Sequence, residues 1–236
     1  MASELIVAVE IISAITTVSL FYSTLKPCSS SGVSFLLGVP IGFGLLGVAF
    51  VANAFASVAG LFSAQTGLLE VMYLLTQTYG MLFLALTFAR RTALRFIGES
   101  TSIELAMAGL ITIILLVYVV IFGPSVTSNL VQSRVSMLLR AATAVAAFYL
   151  VYEAGRSWRF TRKASEGFAV IGFALLLIEQ LGFVLSQMGV GVVGVFLGYE
   201  GRMLGLFVLN AATYVGVHKG NYFLVLKRLG LAAPAH

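Results

Sequence analysis

The reactions open to this chain are narrowed first by the side chains it lacks. Its nine acids are all glutamates, it has two histidines (one of them the terminal His236), and its single cysteine is Cys28. One cysteine excludes an internal disulfide and any cysteine-built zinc or iron–sulfur centre, and two histidines so placed do not make a haem or imidazole metal site. There is no H-E-x-x-H, no G-x-S-x-G, no phosphate-binding loop and no aspartyl dyad. No spacing brings two carboxylates to one spot. The expectation is a protein that is not an enzyme and that carries neither metal nor cofactor.

What remains is a set of polar side chains set into apolar runs at helical spacing. Glu10, Ser13, Thr17 and Thr24 share one face, as do Glu70, Tyr73, Gln77 and Gly80. Ser133, Ser136, Arg140 and Thr143 form a third stripe, and Asn210, Tyr214, His218 and Asn221 a fourth, with Glu179 and Gln180 in a further run. Ionisable groups are costly inside a bilayer and normally face the bundle interior and one another. At ~1.5 Å per residue, Arg140 and Glu179 reach a similar depth, roughly 13–15 Å from the outer surface. This predicts an Arg140–Glu179 ion pair at the heart of an outward-facing polar cavity. Gln77, Asn210 and Tyr214 are expected as ligating groups there, and Glu10 and Glu70 as its mouth. The plainer alternative is that these residues are glue, each interhelical hydrogen bond contributing about 0.6 kcal/mol, with Glu10 and Glu70 merely wetted at the interface.

Such stripes need long apolar elements to hold them, and the composition supplies these. The 236 residues are 60% hydrophobic and 10% charged, with a mean hydropathy of +1.04; a soluble domain is about a quarter charged. The chain reads as an all-α integral membrane protein, a single multi-pass domain over 1–236 in the cell membrane, with the lipid bilayer as its first partner. Apolar runs of spanning length fall at 4–25, 33–57, 67–89, 104–123, 130–154, 166–188 and 201–225, which predicts a seven-transmembrane-helix bundle. Pro40 is expected to kink the second span by removing its bond to the Leu36 carbonyl. Gly38-x-x-x-Gly42 in that span has the spacing of close helix contact. The glycine-rich stretch 189–194 is read as a tight loop. The first run lacks a basic leader and an A-x-A-like site, so it is expected to remain as a helix.

Basic residues give a direction. Lys26, Arg90, Arg91, Arg95, Arg156, Arg159, Arg162, Lys163, Lys219, Lys227 and Arg228 flank one side, leaving only Arg134, Arg140 and Arg202 on or toward the other. The positive-inside rule then sets the N-terminus outside and the C-terminus in the cytoplasm. Trp158 falls in the basic fifth loop, where an interfacial aromatic belongs, and Glu153 is expected to pair with Arg156. Because the excess of cations is small and segregated to one face, nucleic acid is excluded as a partner.

An offset of 135 pairs Thr78-Tyr79 with Thr213-Tyr214 and Gly32 with Gly167, and Phe21-Tyr22 matches Phe148-Tyr149 at another offset. One reading is a 3+1+3 parallel internal repeat, 1–95 and 128–228 joined by the helix 104–123; the other is chance identity in a leucine-rich chain. In topology alone the chain is similar to microbial rhodopsins and small sugar transporters, with no motif shared. Two features argue against retinal binding: Lys219, its one candidate, lies ~27 Å from the outer end of the last span, and no aspartate exists to act as counter-ion.

The functional expectation is a membrane protein that binds or conducts a small solute, ion or proton through the outer-half cavity. The alternatives are a non-catalytic subunit packed against other membrane proteins and a receptor-like module. The latter would signal to an acidic cytoplasmic partner through loops 3 and 5. Absence of aspartate and few Asn, Gln and Cys also suit a thermophile source.

Overall fold

The computed structural model describes residues 2–30, 38–59, 66–93 and 129–218. They form six α-helices: α1 (Ala2–Ser30), α2 (Gly38–Ala59), α3 (Thr66–Ala93), α4 (Asn129–Thr161), α5 (Ala164–Leu185) and α6 (Gly191–His218), the last two joined by a π turn, Ser186–Val190. Five segments are long and apolar enough to cross a membrane. The fifth, Ala164–Gly216, is α5 and α6 folded back on each other as a hairpin. Gly189 turns the chain with φ of 100° and Gly191 with φ of 52°, a left-handed backbone that side chains other than glycine rarely adopt. The fourth expected span, 104–123, lies outside the described residues, as do Lys219 and Asn221.

Each helix packs on its neighbour in the chain, α3 packs on α4, and α6 closes the ring on α1. Contacts along the helices fix their directions. Glu10 meets Asn53 and Thr17 meets Gly47, so α1 and α2 are antiparallel. Thr78 meets Thr143, and Leu84 and Phe88 share a cavity wall with Ala154 and Ser157, so α3 and α4 are parallel. By the same reasoning α6 runs parallel to α1. The N-termini of α1, α3, α4 and α6 therefore lie at one end, here the N-terminal end. Arg156, Arg159, Arg162 and Lys163 lie at the other, the basic end.

Large apolar side chains such as Ile15, Val145, Phe148 and Leu138 stand 64–70% exposed around the ring. Water does not favour such a surface, and lipid does. Most threonine hydroxyls inside the helices bond back to their own helix rather than acting as glue. Thr17 Oγ1 donates to the Ser13 carbonyl at 2.8 Å, and Thr24 and Thr78 do the same to Leu20 and Leu74 at 2.7 Å. Thr78 and Thr143 also meet across α3 and α4 at 2.9 Å.

The Pro40 expectation turns on the Leu36 carbonyl, which lies outside the described residues; Pro40 itself is helical near the described start of α2. One expectation about glycine changes. The stretch 191–194 is helix rather than loop, so α6 begins ten residues before the expected 201. Its glycines are contact points. A Cβ on Gly194 or Gly198 would strike α5 within 2.8 Å, while one on Gly182 would come to 2.6 Å from the Gly198 nitrogen. The α2–α3 and α5–α6 pairs cross in the same way. A Cβ on Gly42 would meet Leu84 at 2.6 Å and the Gly80 carbonyl at 2.8 Å; on Gly172 it would meet Leu209 at 2.6 Å and the Gly205 carbonyl at 3.1 Å. These contacts relate α3 to α6 at an offset of 125 (205 against 80, 209 against 84), not at the 135 that pairs Thr78 with Thr213.

Candidate functional site

The charged centre of the molecule is Arg202, 1% exposed in the N-terminal half. Because α6 starts at Gly191, Arg202 lies about 16 Å along it. Its Nε donates to Glu179 Oε1 at 2.7 Å, its Nη1 to Glu10 Oε1, and its Nη2 to the Tyr73 hydroxyl at 2.6 Å. Gln77 adds a second donor to Glu179 Oε1 at 2.8 Å, and Asn53 a second donor to Glu10 Oε1 at 2.6 Å. Side chains from α1, α2, α3, α5 and α6 thus converge on one guanidinium.

Rings box that cation. Its carbon lies 4.6 Å from the Phe50 centroid, 5.4 Å from those of Phe183 and Tyr199, and 5.8 Å from that of Tyr73. Rings favour the desolvated cation through their negative faces, and the carboxylates neutralise it. A desolvated ion pair is weak evidence for stability, but removing one member leaves the other charge stranded. The arrangement therefore acts as a specific five-helix clasp.

Against the expected site, this is a partial match with one exchange of partners. Glu179 and Gln77 come together as expected, but Glu179 is held by Arg202 and makes no ion pair with Arg140. The depth argument placed Arg140 but not Arg202, because reading 189–194 as a loop and starting the last span at 201 leaves Arg202 at the very end of its helix, whereas that helix begins at Gly191 and the glycines 194, 198, 201 and 205 are its contacts with α5. That small-residue spacing was the available signal. Glu10 is not a mouth residue: it is fully buried on Arg202. Glu70 lies on α3, its side chain outside what the structure describes. Asn210 is half-buried, its carbonyl accepting from Thr213 Oγ1 at 2.8 Å, and Tyr214 is 62% exposed on the outer face of the ring, away from the cluster.

Arg140 lies next to the clasp without joining it. Its guanidinium sits 4.4 Å from the centroid of the Phe183 ring that also faces Arg202. It is 7% exposed, and its Nε and Nη1 have no hydrogen-bond partner among the described residues. Glu153 pairs with Arg156 at 3.6 Å near the basic end, as expected.

The clasp is packed, and Glu10, Glu179 and Arg202 are closed to solvent. Space lies instead at the basic end, where a cavity of about 120 Å³ opens among all six helices. Phe43, Leu84, Phe88, Phe173 and Leu209 form its apolar walls, with Thr24, Ser157, Lys163, Ser165, Glu166 and Thr213 as polar lining. Among the described residues no three His, Cys or Glu side chains are grouped so as to hold a metal ion. No family model, curated protein or solved structure matches the chain.

Proposed function

We propose that the chain is a seven-span membrane protein that binds or conducts a small solute through the ring of helices, with its N-terminus outside and the basic end in the cytoplasm. The observation that carries this reading is the division of the ring into two unlike ends. Ionic contacts close the N-terminal half, while a mostly apolar cavity whose rim carries Lys163 and Glu166 occupies the basic half. An apolar hollow of this scale takes up small molecules of about the size of benzene, and Lys163 and the serines would orient a polar group on such a solute. In this reading the outer-half cluster is the closure, not the binding chamber. The similar crossings of α2–α3 and α5–α6 support a 3+1+3 arrangement, with the span 104–123 as the joining helix.

The test is access. In a Cys28→Ser background, a cysteine at Ala212 should react with a membrane-impermeant thiol reagent from the cytoplasmic side only, and a small apolar solute should protect it. Reaction from outside alone, or no protection by any solute tested, overturns the reading. A second reading, a non-catalytic subunit, is favoured by the completeness of the Arg202 network as a static fastener. It predicts a stoichiometric membrane partner on purification and no solute protection.

A further inference from the structure

The buried charges of the N-terminal half are unevenly paired. Among the described side chains there, Glu10 and Glu179 both bond Arg202, so two carboxylates share one cation. Arg140, also desolvated, has none. The surplus negative charge at Arg202 offsets Arg140 across the Phe183 ring, but among the described residues it gives no acceptor to Arg140 Nε and Nη1. A buried donor left unbonded is costly, and a buried charged donor more so.

The surroundings of Arg140 suit an acceptor. Gln187 donates to Ser136 one turn away, and Arg140 itself faces Phe183, so α4 and α5 run antiparallel past this point. The same register brings Gln180 level with Thr143, one turn to the other side. Gln180 is 1% exposed, and its Oε1 has no donor, so nothing pins its amide, which can present an N–H to a guest beside Arg140 or its oxygen to Arg140 itself. Neighbours about one turn away on either side bracket Arg140, which limits any guest to a few atoms.

We propose that Arg140 binds a small monovalent anion, of the size of chloride or formate, and that Glu10 takes up one proton from solvent as the anion binds. The coupling follows from charge. Arg140, Arg202, Glu10 and Glu179 sum to zero when ionised, so an added anion leaves a net negative charge in a medium that does not tolerate it. Glu10 is the group that can absorb it. Its Oε2 is buried and unbonded, while its Oε1 keeps the bonds from Arg202 and Asn53. The groups facing Glu10 are Asn53 from α2, Tyr73 from α3, Glu179 from α5, and Arg202 with Tyr199 from α6; Arg140 on α4 lies beyond Phe183. This site is separate from the basic-end cavity and stands whether or not that cavity binds a solute.

The experiment is a titration of the full-length protein in detergent with sodium chloride and with sodium formate, at ionic strength held constant by sodium gluconate, following the thermal midpoint. A bound ligand raises the midpoint. The wild type should respond to both small anions, and the derived affinity should fall about tenfold per pH unit once Glu10 ionises, as uptake of one proton requires. Glu10→Gln should keep the response and lose its pH dependence. Arg140→Gln should abolish it, and Arg140→Lys should retain a weakened response, which separates loss of the site from loss of the fold. A wild type that does not respond, an Arg140→Gln variant that responds equally, or a Glu10→Gln variant that keeps the pH slope each overturns the proposal; the first of these means that water or the Gln180 oxygen satisfies Arg140.

Discussion

Arg202 and Arg140 differ by partners, not by depth. Both are desolvated in the same half and both stand over Phe183, yet one carries three hydrogen bonds and the other, among the described residues, lacks acceptors at two nitrogens. Arg202→Met should cost about 3–5 kcal/mol, because two carboxylates lose their counter-charge. Thermal unfolding in detergent checks this, and a loss below 1 kcal/mol would mean that the clasp does not hold the ring. Glu179→Gln should cost less, since the amide oxygen still accepts from Arg202 and Gln77. The residue types of this cluster were legible from the sequence as polar positions within apolar runs. Which arginine met Glu179 was not, because two cations at similar depth are equivalent until helix rotation and start point are known.

At the scale of the helix, small residues set how closely elements approach. The α5–α6 hairpin lets backbone meet backbone, with the virtual Cβ of Gly182 2.6 Å from the Gly198 nitrogen. Gly182→Val should force the pair apart and lower stability by about 1–3 kcal/mol, the usual cost of overpacking. Gly155 in α4 is the opposite case, since a Cβ there meets nothing within 4 Å. Gly155→Ala should stabilise by about 0.5–1 kcal/mol through helix propensity alone. Measured together by thermal unfolding, the two variants should move in opposite directions; a stabilised Gly182→Val would remove the close-packing account. Hydropathy located the ends of the described spans to within about five residues, except that α4 runs on to Thr161, seven residues past 154, and α6 begins ten residues early. There glycine has two meanings, turn and contact, and only the partner helix tells them apart.

For the whole molecule, the ring has a basic end and an ion-clasped end, and the basic residues provide the orientation test. With Cys28 replaced by serine, a cysteine at Ser157 should react with impermeant reagent from the cytoplasmic side; reaction from outside would reverse the assignment. Local composition alone determined that the chain is helical, apolar enough for membrane crossing, and striped with polar groups, because hydropathy and the 3.6-residue period are properties of short windows. The cavity at the basic end, the exchange of Arg140 for Arg202 on Glu179, and the burial of Glu10 were decided only by tertiary structure. Each depends on which faces of helices distant in sequence meet, and a shift of ten residues, nearly three helical turns, in where α6 starts is enough to change the partner.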